Sequence, residues 1–234
     1  MPPEPSLENR DVAANLAAVR RMIDRTCLDA GRDPAGVELV AVTKTFPADV
    51  IRAAYDSGQR IFGESRLQEA KPKIDVLPED IHWHFIGRVQ RNKLRKILGA
   101  FKVVHGIDSM ALASAADRIA GEEGRRSAVF LQVNIAAESS KGGFHPDELI
   151  LNFPRLAALS NLDVLGLMAI PPPSESGSET RQWFAAVREL RDRIGREHGV
   201  HLPGLSMGMS GDFEAAILEG ATLVRVGSAI FGNR

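Results

Sequence analysis

Apolar runs rich in β-branched residues recur along the chain near positions 37–43, 60–62, 82–86, 102–107, 128–133, 164–169, 204–207 and 222–226. Between them, apolar residues return at helical spacing over 48–57, 67–76, 91–98, 110–122, 146–159, 180–198 and 212–219. A longer helix is predicted over 7–30, with Val12, Leu16, Val19 and Ile23 on one stripe and Gly31 to end it. Strands that alternate with helices throughout imply βαβ units and a parallel sheet. Eight strands fit a closed (β/α)8 TIM-type barrel with an extra N-terminal helix, and an open doubly wound sheet satisfies the same periodicity. No linker divides the chain, so one domain over 1–234 is expected, with 1–6 frayed. The segment 171–178, Pro171-Pro172-Pro173 followed by Ser174-Glu175-Ser176-Gly177-Ser178, stands just after the sixth strand. It is open to two readings there, a lid and an unstructured connection.

Composition narrows the field. With 44% hydrophobic and 25% charged residues the chain is ordinary for a globular protein, and its formal net charge of -1 gives no overall pull toward nucleic acid or anionic membrane. Cys27 is the only cysteine, which rules out an internal disulfide and a cysteine metal cluster. The proline-rich, acidic start lacks the pattern of a signal peptide, and no apolar run approaches the roughly 20 residues a membrane helix needs. A cytoplasmic protein is expected. Arg88, Arg91, Lys93, Arg95 and Lys96 form a local basic run, but alternation with Val89, Leu94, Ile97 and Leu98 reads as the solvated face of an amphipathic helix rather than a nucleic-acid surface.

The chemistry gathers at strand ends. Period-2 alternation places Val40, Val42 and Lys44 on one face of the first strand, so in a barrel Lys44 points inward at the carboxyl end, where barrel sites are built. Desolvation there favours the neutral amine, the form that attacks an aldehyde. A lysine reaching solvent fits this strand equally well. The run from Leu205 to Asp212 is a strand, a small-residue turn and a helix start, in which Ser210 is suited to cap the helix. The run from Val224 to Gly232 repeats the device with Gly227 and Ser228. Phosphate binding after strands seven and eight recurs in barrels, while two capped helices and nothing more is the plainer reading. Arg225 shares a face with Gly227, and barrel closure would bring it near Lys44; an ion pair with Glu38 or Glu64 is its structural alternative. A lysine, an inward arginine and a phosphate cradle at one barrel end describe a pyridoxal phosphate site.

The order of motifs from Leu39 to Gly232 resembles the pyridoxal phosphate homeostasis proteins, single-domain relatives of the alanine racemase barrel. The motifs are those around Lys44, Phe62-Gly63-Glu64-Ser65-Arg66-Leu67-Gln68-Glu69, Trp83-His84-Phe85-Ile86-Gly87-Arg88, Val104-His105-Gly106-Ile107-Asp108, Gln132-Val133-Asn134 with Lys141-Gly142-Gly143-Phe144, Gly166-Leu167-Met168, and the last two strand turns. The resemblance implies pyridoxal 5'-phosphate held as a Schiff base on Lys44 in a fold-type III barrel. It also implies Arg225 at the pyridine nitrogen, Ser210, Gly227 and Ser228 at the phosphate, and Met207 against the ring. The chain departs from the family pattern at Ser65, commonly asparagine, Arg66, commonly tyrosine, and Gly106, frequently serine.

Two functions follow from such a site. One is storage, buffering or delivery of the cofactor, with apo-enzymes as recipients and no substrate of its own. The other is an amino-acid racemase of low activity. Racemase relatives set a tyrosine from a second, β-rich domain opposite the lysine, whereas this chain ends after the eighth strand and holds one tyrosine, Tyr55, in the helix after the first. The expectation is therefore a non-enzymatic, monomeric carrier without that domain. His84, at an inward position, is either an alternative base or a hydrogen-bonded core histidine.

Overall fold

The computed structural model describes residues 11–138, 141–172 and 177–232. The expected frayed end therefore lies outside the described residues. The first helix, α1 (Val12–Asp29), starts where Asp11 accepts a hydrogen bond from the Ala14 amide. It stops where Gly31 turns to φ 65°, with Arg32 and Gly31 donating back to Cys27 and Leu28. That left-handed glycine closure is the reason the helix ends at the position read from Gly31.

Eight parallel strands then follow: β1 (Glu38–Val42), β2 (Ile61–Glu64), β3 (His82–Phe85), β4 (Val103–Ile107), β5 (Ser127–Val133), β6 (Leu162–Ala169), β7 (Gly204–Ser206) and β8 (Leu223–Val226). Each pairs with the next, and β8 returns to β1 in the register Val40↔Arg225, closing the barrel. The doubly wound alternative is thereby excluded. Between the strands lie α2 (Ala48–Asp56), α3 (Leu67–Val76), α4 (Leu94–Ala100), α5 (Met110–Glu122), α6 (Pro146–Ala157), α7 (Gly177–His198) and α8 (Phe213–Leu218), and α9 (Ser228–Phe231) follows β8. The stretch expected as one helix over 91–98 is a 3-10 turn, Arg91–Lys93, leading into α4. Of the expected lid, 173–176 lie outside the described residues, and α7 already begins at Gly177.

The strand alternation divides the core in two. Residues such as Ala41, Phe62, Trp83, Val104, Leu131, Leu167, Met207 and Val224 face outward and pack against the helices. Val40, Phe130, Met168 and Leu223 face inward and fill the barrel axis with Ile61, Val103 and Leu165 against them. The unit after β8 ends in a helix of one turn, too short to cover its share of the barrel. The additional helix α1 covers that seam, lying against α2, α8 and α9 with Leu16, Val19, Ile23 and Cys27 buried. Each aliphatic side chain buried this way contributes about 1.5–3 kcal/mol, which is why an amphipathic stripe ahead of the barrel is retained. Among the described residues no helix is long and apolar enough to cross a membrane.

Candidate functional site

A cavity of about 570 Å³ opens at the carboxyl end of the barrel, within the range typical of small-molecule sites. Its walls carry Lys44 and Val42 from the end of β1, Arg225 from β8, and Ser210, Gly211, Gly227 and Ser228 from the last two turns. Phe46, Ser65, Ile86, Ile170, Met209 and Gly232 complete the lining. Five of the six residues singled out in the sequence thus meet in one cavity. The sixth, Met207, does not. Ser206 turns inward to Arg225, so its neighbour must turn outward, and Met207 is wholly buried between barrel and helices. Met209, two positions on, is the methionine on the cavity wall, a shift of one pleat that family resemblance alone passed over.

Lys44 is aimed by what lies behind it. Thr43 faces the helices, where its hydroxyl donates to Glu64 at 2.6 Å, and Lys73 from α3 donates to the same carboxylate oxygen at 2.7 Å and to the Thr43 carbonyl at 3.0 Å. Glu64 is sealed from solvent, and burial raises its pKa against the lowering effect of these two partners. On the other side Thr45 adopts φ 70°, a left-handed conformation that costs a β-branched residue about 1–3 kcal/mol. The Thr45 amide donates to Glu69, and the Phe46 amide returns to the Thr43 carbonyl at 3.0 Å. The strained corner sends the chain away to α2 and leaves the lysine at the cavity.

Arg225 is 4% exposed, and burial pulls its pKa down to about 10. Neither expected carboxylate pairs with it: Glu38 lies exposed at the amino end of β1, and Glu64 is taken by Lys73. Its guanidinium donates instead to neutral oxygens, the Ser206 carbonyl at 2.7 Å, the Ser206 hydroxyl at 2.6 Å and the Ala169 carbonyl at 3.0 Å. Among the described residues no carboxylate forms an ion pair with it. A buried cation bonded only to neutral oxygens, with Asp212 acting on it at longer range, is set in a cavity wall with donors to spare for a ligand.

The two turns are joined to one another. Ser210 does not cap α8; that position belongs to Asp212, whose side chain accepts from the Met209 amide. The Ser210 hydroxyl accepts instead from the amides of Gly227 and Ala229, at 3.1 and 3.4 Å. The bend between β7 and Ser210 depends on Gly208, whose φ is 91° and where a Cβ would lie 2.6 Å from that of Ala216. Backbone amides converging on one hydroxyl oxygen are donors an anion's oxygens would also satisfy.

The alternative bases are elsewhere. Tyr55 of α2 donates to Asp80, in the turn before β3, at 2.7 Å. His84 is 5% exposed and bonded to His105 at 3.0 Å, and burial, reinforced by His82, lowers its pKa to about 4. It is a core histidine. Arg95 of the basic run is paired with Glu122 and Glu123. Among the described residues no cluster of metal-ligating side chains occurs.

Known proteins resemble this chain over nearly its whole length. Residues 12–234 match the model of the family described as alanine racemase, N-terminal domain. The pyridoxal phosphate homeostasis protein of Aquifex aeolicus is 42% identical over 94% of this chain and 96% of its own. That of Pseudomonas aeruginosa is 44% identical over 95% and 96%. Among solved structures, PipY of Synechococcus elongatus PCC7942 with PLP bound is 40% identical, with a TM-score of 0.84 over 95% of this chain and 100% of that one. The same protein without PLP gives a TM-score of 0.87. Alanine racemase from Streptomyces coelicolor shares the fold at 22% identity, with a TM-score of 0.67, and this chain covers 59% of it. The chain belongs to the pyridoxal phosphate homeostasis proteins, within the alanine racemase N-terminal domain family.

Proposed function

We propose that this protein binds pyridoxal 5'-phosphate through Lys44 and maintains the cell's supply of that cofactor by storing, buffering or delivering it, without turning over a substrate. The observation that carries this reading is the buried Arg225, a donor with no carboxylate partner among the described residues, sharing a cavity with Lys44 and the two-turn cradle. The residues fit the group. Arg225 offers hydrogen bonds to an aromatic nitrogen, Ser210, Ser228 and the amide of Gly227 offer donors to a phosphate, and Lys44 offers an amine.

When bound, pyridoxal phosphate supplies an aldehyde that an amine captures and a ring able to withdraw electrons. Arg225 holds its proton far more tightly than a pyridine nitrogen would take it, so it donates a hydrogen bond and leaves that nitrogen unprotonated. That weakens electron withdrawal and disfavours loss of an α-proton. Within this chain Tyr55 is bonded to Asp80, so no tyrosine faces Lys44 across the cavity. Both features favour a carrier, held in the cytoplasm as a monomer, with apo-enzymes as recipients.

The test is an absorption spectrum of the protein loaded with pyridoxal phosphate, before and after borohydride, with peptide mapping of the reduced product. The label is expected on Lys44. Incubation of the loaded protein with L- and D-amino acids in deuterated water should then show no sustained α-hydrogen exchange. Multiple turnover that disappears in Lys44→Ala would establish a racemase-like enzyme instead.

A further inference from the structure

Beneath the cavity, polar side chains from four strands form a continuous chain through the barrel interior. Arg225 donates to the Ser206 hydroxyl at 2.6 Å, that hydroxyl contacts Nδ1 of His105 at 2.8 Å, and Nε2 of His105 contacts Nδ1 of His84 at 3.0 Å. Ser206 and His105 are fully buried and His84 nearly so. One layer nearer the strands' amino ends the same faces carry Val103 and Leu223, so apolar side chains fill this axis readily. A polar chain here needs a reason beyond filling space.

Its direction is fixed by its upper end. A guanidinium only donates, so the Ser206 oxygen is an acceptor toward Arg225. Among the described residues the hydroxyl proton then has one side-chain acceptor within reach, Nδ1 of His105. His105 must carry its own proton on Nε2 and donate it to Nδ1 of His84, which in turn carries its proton on Nε2. The reverse arrangement, with His105 donating to Ser206, would bury a hydroxyl proton with nothing to receive it, at a penalty typical of an unmade bond.

We propose that His84, His105 and Ser206 are positioning residues, a one-way hydrogen-bond relay that fixes the plane and direction of the Arg225 guanidinium so that its remaining donors face the aromatic nitrogen of a ligand in the cavity. The relay rests on the reading of the cavity as a pyridoxal phosphate site, although its polarity does not. With one end held by Ser206 and the Ala169 carbonyl, the guanidinium cannot rotate without breaking bonds on both β6 and β7. Preorganisation of this kind favours a planar ligand over a bare anion, because only the ring meets Arg225.

Two measurements test this. In the ligand-free protein, long-range nitrogen–proton NMR of the imidazoles is expected to show both His84 and His105 protonated on Nε2 alone. Protonation of His105 on Nδ1 would overturn the relay. In the second, Ser206→Ala and Ser206→Thr are compared for binding of pyridoxal 5'-phosphate and of inorganic phosphate. The alanine variant should lose about three- to tenfold for pyridoxal phosphate, the equivalent of one hydrogen bond, with binding of inorganic phosphate unchanged and threonine restoring the loss. Equal loss for both ligands would mark Ser206 as merely structural, and no loss for either would also overturn the proposal. Failure of the wild-type protein to bind pyridoxal phosphate would remove the functional reading instead, with the tautomers still deciding the relay.

Discussion

Thr43 and Glu64 meet at 2.6 Å on the outer face of β1 and β2, directly behind the residue that presents Lys44 to the cavity. The other carboxylate oxygen of Glu64 is buried without a partner among the described residues, so this side chain depends on Lys73 and Thr43 alone. Lys73→Met leaves an uncompensated buried carboxylate and should cost about 3–5 kcal/mol in urea unfolding. Replacing both, Glu64→Leu with Lys73→Met, should cost less than Lys73→Met alone. A double variant at least as unstable as that single variant would show that the pair stabilises through its charges.

Lys44→Ala should abolish the borohydride-stable adduct and the visible absorbance while leaving the urea midpoint nearly unchanged, since the side chain is only partly buried. Label on Lys141 or any other lysine after mapping would refute the assignment.

Ser210 is the shared acceptor of the Gly227 and Ala229 amides, so its removal acts on both turns. Ser210→Ala and Ser228→Ala should each weaken retention of pyridoxal phosphate by about tenfold to a hundredfold, the value of a hydrogen bond to a charged group. Equilibrium dialysis would measure this. Pyridoxal without its phosphate should be insensitive to both changes; equal losses for the two ligands would refute the cradle.

The buried histidines make stability depend on pH. The unfolded chain takes up the His84 proton near 6.5 and the folded chain only near 4, so between these values the unfolded state binds more protons. Stability is complete above the higher value and declines as pH falls toward the lower, by about 3 kcal/mol for His84 alone. His105, lowered by burial and by the neighbouring His84 and Arg225, adds in the same direction. Glu64, raised by burial, acts with the opposite sign in its own range. Urea midpoints at about pH 7 and about pH 5 should therefore differ, and His84→Gln should flatten the slope. A slope unchanged in that variant would assign it to other groups.

How much of this was legible in the sequence depends on whether a feature is local. The inward parity of Lys44 follows from alternation along one strand, and the closing of α1 follows from Gly31. The Met207 assignment failed because the strand's last inward residue is Ser206, a parity set by its bond to Arg225 and invisible in the run itself. The capping position read for Ser210 belongs to Asp212, and the partners of Ser210 lie 17 and 19 residues away on the other turn. His105 and Ser206 are 101 residues apart in sequence, and only barrel closure brings them together. Periodicity tells which way a side chain points; it does not tell which others point at the same spot.

The bond from the Gly227 and Ala229 amides to Ser210 ties the two turns of the cradle together through one hydroxyl oxygen. On the proposed reading, a phosphate would meet two turns already fastened to each other. A vessel built this way has its rim set before it is filled.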